Sequence, residues 1–159
     1  MKNQHWHRKG DQPKQPLHYT GCGLDNIYLL SGYEIVEDED GKGVIIHNLD
    51  ELHDAIALYL VNEQKILSGK EVHYLRAYMD LSQSGLGKLL GCNSQTVARY
   101  EKEEYSIPAP TDRLLRVILL GHVKGDVNVH QIVQKIENME GHIRRKYKFA
   151  PAGKGWKAA

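Results

Sequence analysis

The chain has 159 residues, 41% of them hydrophobic, and a formal charge of +1, which allows one domain or two small ones and argues against a polyanion affinity based on net charge alone. No apolar run is long enough to span a membrane. Two cysteines, Cys22 and Cys92, argue against a disulfide framework and against a zinc site built from Cys-x-x-Cys pairs.

From Met1 to about Thr20 the chain is rich in Gln, Lys, His and Pro with scarcely an apolar residue. Such a segment cannot bury enough surface to offset its ordering entropy, so it is expected to be mobile. It also lacks the apolar core of a secretory signal, and a cytoplasmic protein is the expectation. His5, His7, His18 and Cys22 fit no standard metal spacing. Solvated histidines are therefore expected, with no metal and no cofactor.

Residues 21–67 read as a small α+β module. Ile27–Leu30, Tyr33–Val36 and Val44–His47 are dense in β-formers. Between the last two, Asp40-Gly41 is a turn signal, which predicts an antiparallel hairpin. The acids at 37–40 are a solvated turn, a surface for a basic partner or a metal-binding group. Asn48 and Glu51 have capping-box spacing ahead of Leu52, Ile56, Tyr59 and Leu60 at helical intervals. A helix from about Leu49 to Gln64 follows.

Residues 68–140 read as a helical domain. Ser68 and Glu71 form a second capping box, and Val72, Leu75, Arg76 and Met79 continue it as a helix. Ser82 stands at the next N-cap position, with Leu81 and Leu86 spaced as a hydrophobic staple, and Leu86, Leu89 and Leu90 make one stripe. Gly85 within that helix should cost ~1 kcal/mol against alanine. Gly91 ends the helix, because glycine alone takes the left-handed conformation without penalty.

Asn93 caps the next helix, whose Val97 and Tyr100 face inward and leave Ser94, Gln95, Ala98, Arg99 and Lys102 outside. Glutamine and arginine are the side chains that make paired hydrogen bonds to adenine and guanine edges. A polar, proline-containing loop over 103–110 precedes a helix capped by Thr111 and running from Asp112 to about Val123, with Leu114, Leu115, Ile118 and Leu119 inward. Arg113 and Arg116 on it either touch phosphate or form a solvated face. Val129, Ile132, Val133, Ile136 and Met139 mark a further amphipathic helix over 127–139. Its stripe is either a dimer surface or packs back on the same chain. The tail over 141–159 carries six Lys and Arg, no acid, and the rings of Tyr147, Phe149 and Trp156. It reads as a flexible arm that either tracks DNA or only solubilises the end.

Gln83 opening the first of the paired helices, small Gly87, Leu90-Gly91 at the turn and Thr96–Glu101 in the second helix resemble the helix-turn-helix of Xre (Cro/C1-type) regulators, over about Ser68–Leu120. The resemblance implies that the second helix lies in the major groove and the first crosses the backbone. Carried over position by position, it makes Ser94, Gln95 and Arg99 base-reading candidates and Gln83, Asn93 and Lys102 phosphate contacts. Arg76 and Glu101 take the positions of the family's structural ion pair. The order of a small β-containing module before such a domain is similar to MqsA (YgiT-type) antitoxins, although both zinc-binding Cys-x-x-Cys pairs of that family are missing here.

The fold class expected is mostly α, a repressor-like bundle preceded by a small α+β module. The function expected is sequence-specific DNA binding, as a dimeric repressor on an inverted repeat of double-stranded DNA, with a toxin as a further partner. An adaptor that grips a partner protein through the N-terminal module is the alternative. No nucleophile motif or Gly-rich phosphate loop points to an enzyme.

Overall fold

A computed structural model of the chain describes residues 16–125, Asn138 and two strands near the C-terminus. Five helices and three two-stranded antiparallel sheets occupy the described residues, so the architecture is mostly helical with a small β module ahead of the helices. No helix among these residues is long and apolar enough to cross a membrane. The segment 1–15 and the amphipathic helix expected over 127–139, Asn138 apart, lie outside the described residues.

Strand β1 (Leu17–His18) pairs with β2 (Tyr28–Leu29). This corrects the expectation of mobility as far as Thr20, and it separates Ile27–Leu30 from the hairpin that follows. The His18 ring stacks on Tyr28 at 4.7 Å between centroids and bonds the Asp25 carbonyl. Two-residue strands have no periodicity to read, which is why they escaped the sequence.

The expected hairpin forms from β3 (Tyr33–Asp38) and β4 (Gly41–Ile46). Its turn sits one residue earlier than the Asp-Gly signal, on Glu39 and Asp40. There the Asp38 carboxylate accepts the Asp40 N–H at 3.0 Å, the local bond that makes aspartate a turn former. Tyr33 is buried at the base of the hairpin, while the cross-strand pair Ile35 and Val44 is exposed further out.

Helix α1 (Leu49–Glu63) starts without the expected capping box, because Asn48 is left-handed at φ 50° and its side chain makes no cap bond. Its inward residues are Ile56, Ala57, Leu60 and Val61, and Tyr59 is exposed. Helix α2 (Gly69–Tyr78) has the full Ser68/Glu71 capping box. Helix α3 (Gln83–Leu90) is capped by Ser82, which accepts from the Gly85 N–H, and ends on left-handed Gly91 at φ 74°. Helix α4 (Ser94–Glu101) is capped by Asn93, which accepts from the Thr96 N–H.

Helix α5 (Ala109–Lys124) begins three residues before the expected start, with Pro108 at its N-cap and Pro110 in its first turn. Proline is compatible there, since first-turn N–H groups have no intrahelical acceptor. Thr111, expected as the cap, instead hydrogen-bonds Tyr100. Leu114 is more exposed than expected, and Leu115, Ile118 and Leu119 carry the inward stripe.

One apolar cluster runs without a break from Leu24 through α1 and α2 to Leu119 in α5. Leu75, Leu86, Val97, Leu115 and Leu119 have no exposed surface. Arg116, read from the sequence as touching phosphate or forming a solvated face, is instead drawn inward, with its side chain 16% exposed. It pairs with Asp112, whose carboxylate also accepts the Leu67 N–H, and donates at 2.8 Å to the carbonyls of both Val61 and Gln64. The end of α1 is thereby satisfied and tied to α5. Near the C-terminus, β5 (Phe149–Ala152) and β6 (Gly155–Ala158) pair as a hairpin, which corrects the expectation of a flexible arm there.

Candidate nucleic-acid interface

The α3–turn–α4 unit is positioned by close backbone approach. A methyl group on Gly87 would come 2.6 Å from the Cys92 carbonyl oxygen, so only glycine lets the turn fold back on α3. Cys92 is partly exposed but packs against the core, and burial pushes its thiol pKa up. A methyl on Gly69 would come 2.5 Å from the Glu101 carbonyl oxygen, because the end of α4 closes on the start of α2.

That closure is fixed by an ionic network. Arg76 Nε donates to Glu101 Oε1 at 2.5 Å and Nη2 to Oε2 at 3.2 Å, the forked geometry that arginine and carboxylate share. Gln83 Nε2 donates to Glu101 Oε2 at 3.0 Å, and His73 Nδ1 lies 3.1 Å from the same atom. Burial alone would raise the Glu101 carboxyl, but the hydrogen bonds from Arg76, Gln83 and His73 outweigh it and hold it below its ordinary value. The Glu101 side chain is only 7% exposed. The pair expected between Arg76 and Glu101 is therefore present and nearly dry.

Helix α4 ends in a Schellman motif that the sequence did not announce. The Glu104 N–H donates to the Arg99 carbonyl and the Glu103 N–H to the Tyr100 carbonyl, with Glu103 left-handed at φ 59°. Glycine is the usual residue at that position. Glutamate costs ~1 kcal/mol of backbone strain there, but its carboxylate accepts the Gly69 N–H at 2.9 Å and completes the capping of α2. A polar loop between helices gave no sign of this bond.

With α4 anchored through Val97, which has no exposed surface, its other side faces solvent. Ser94 and Gln95 are exposed there, and the Arg99 side chain is 41% exposed. The Arg99 guanidinium lies 5.6 Å over the Tyr105 ring centroid, with Nε 3.7 Å from Glu104 Oε2. Of the residues expected to contact phosphate, Lys102 is exposed at the C-cap. Asn93 uses its side-chain oxygen for capping, and Gln83 is drawn to Glu101. Gln83 keeps a second amide hydrogen for another acceptor.

The sequence also did not reveal that the turn at Cys22 and Gly23 stands beside α4. That turn, Lys70, Ala98 and Lys102 line a cleft of about 220 Å³, and Lys70 also pairs with Asp25. Nothing local marks that approach, since Asp25 and Lys70 are 45 residues apart. Comparison of this chain with protein-family models, with curated proteins and with solved structures finds no match.

Proposed function

We propose that α3 and α4 are the helix-turn-helix of a sequence-specific, Xre-like DNA-binding regulator, a protein without enzymatic activity. One observation carries the reading. Helix α4 buries Val97 completely while leaving Ser94 and Gln95 exposed and the Arg99 side chain 41% exposed. Those side chains offer the donors and acceptors that base edges in the major groove match. Lys102, with Asn93 and the remaining amide hydrogen of Gln83, supplies phosphate contacts that fix register and make affinity salt-dependent. As a repressor the protein acts as a dimer on an inverted repeat, the arrangement that two-fold symmetry imposes on the operator.

Selection of bound sequences from a random duplex pool tests this. Wild type is expected to enrich a defined sequence, and Arg99→Ala to lose ~1–3 kcal/mol of discrimination at one guanine while other positions keep theirs. Enrichment of no sequence, or an unchanged preference in Arg99→Ala, removes the assignment.

A second reading is favoured by the β3–β4 hairpin, where Ile35 is 65% exposed beside Val44. An exposed apolar pair projecting from the module suits a protein partner, such as the toxin of a toxin–antitoxin pair. Co-purification of the product of an adjacent reading frame, lost in Ile35→Asp, is the result expected on that reading.

A further inference from the structure

We infer that Glu104 and Tyr105 are positioning residues that hold the Arg99 guanidinium pre-oriented for a guanine edge. The inference rests on the DNA-binding reading above and deepens it. Three contacts converge on Arg99: its carbonyl accepts the Glu104 N–H at 3.0 Å, its Nε faces Glu104 Oε2 at 3.7 Å, and its guanidinium lies over the Tyr105 ring. The left-handed Glu103 directs the chain back along α4 and so brings residues 104 and 105 to that side chain.

Glu104 engages the Nε edge and Tyr105 covers one face, and among the described residues the guanidinium has no other partner. The two terminal nitrogens remain available, and they suit the O6 and N7 acceptors of guanine. An arginine held this way loses less side-chain freedom on binding than one that is free in solvent. The Glu104 carboxylate contributes a second effect by repelling phosphate, so that it disfavours Arg99 settling on the backbone of a mismatched site. Both effects raise the preference for the matching sequence more than they raise total affinity.

The test uses the full chain, the duplex that wild type enriches from a random pool, and a scrambled duplex of the same composition. Glu104→Gln and Tyr105→Leu are each expected to lower the ratio of the two affinities about threefold to tenfold. Tyr105→Phe should retain it, because the ring is kept. In an Arg99→Ala background neither substitution should change the ratio, which isolates the coupling to Arg99. Equal effects on both duplexes, or the same change with Arg99 absent, would overturn the positioning role while leaving DNA binding intact. Failure of wild type to enrich any sequence appears in the first arm and overturns the underlying reading together with this one. A DNA-free measurement guards against variants that bind poorly for other reasons. Nitrogen relaxation of Arg99 Nε should show the side chain ordered in wild type and Tyr105→Phe and mobile in Tyr105→Leu, and an unchanged signal in Tyr105→Leu overturns the proposal.

Discussion

Gly69 shows how one side chain's absence sets the geometry of the site. Its missing Cβ lets the Tyr100 and Glu101 carbonyls approach the first turn of α2, and a Cβ there would meet both of these backbone oxygens as well as the Glu103 side chain. Gly69→Ala is expected to lose about 1–3 kcal/mol of stability in urea denaturation, in the range of overpacking in a tight site. Glu101 makes the complementary statement through charge. Its pKa is depressed, so the ion pair with Arg76 contributes fully above the ordinary carboxyl value of 4.5 and is lost as pH falls through the lower folded-state value. Glu101→Gln leaves Arg76 buried without its counter-charge and should cost about 3–5 kcal/mol at neutral pH. The gap between wild type and variant, followed by denaturation at a series of pH values, should stay constant down to about pH 5 and narrow below it. A gap that widens on acidification would reverse the sign assigned to Glu101.

Elements depend on their ends here more than on their interiors. Helices α3 and α4 have eight residues each, too few to persist in water without tertiary support, and each is delimited by a side-chain cap. Ser68, Ser82, Asn93 and Gly91 were legible in the sequence because cap chemistry is local and involves residues three positions apart. Asn48 had the same spacing and failed, since its backbone is left-handed and its side chain cannot reach the first turn. The C-terminal end of α1 was legible to within a residue, but its capping was not, because that comes from Arg116 in α5. The acid-then-base spacing of Asp112 and Arg116, four residues apart, was the available hint that this arginine is paired. Arg116→Ala should cost about 3–5 kcal/mol by leaving Asp112 unpaired and the α1 carbonyls unsatisfied. Amide hydrogen exchange should accelerate most in the last turn of α1, and unchanged protection there would contradict its role as the cap.

At the scale of the whole molecule, Leu24 from the β1–β2 connection and Leu67 from the α1–α2 connection join the helices in one apolar cluster. The mostly helical class and the order of the helices could be read from apolar periodicity. The cleft beside α4 could not, because the Cys22–Gly23 turn reaches it through tertiary contact. That placement leaves Ser94 and Gln95 exposed at the start of α4, and the turn shares a cleft only with its later residues Ala98, Glu101 and Lys102, which suits docking by the N-terminal half of such a helix. The exposed β3–β4 hairpin is the other surface on which a partner could sit. Amide chemical-shift mapping on titration with the duplex that wild type enriches distinguishes the two. If α4 reads DNA, the largest changes fall on Ser94, Gln95 and Arg99, with Gln83 and Lys102 alongside, and the hairpin stays silent. Changes confined to the hairpin, with α4 unmoved, would contradict the assignment of α4 as the reading helix.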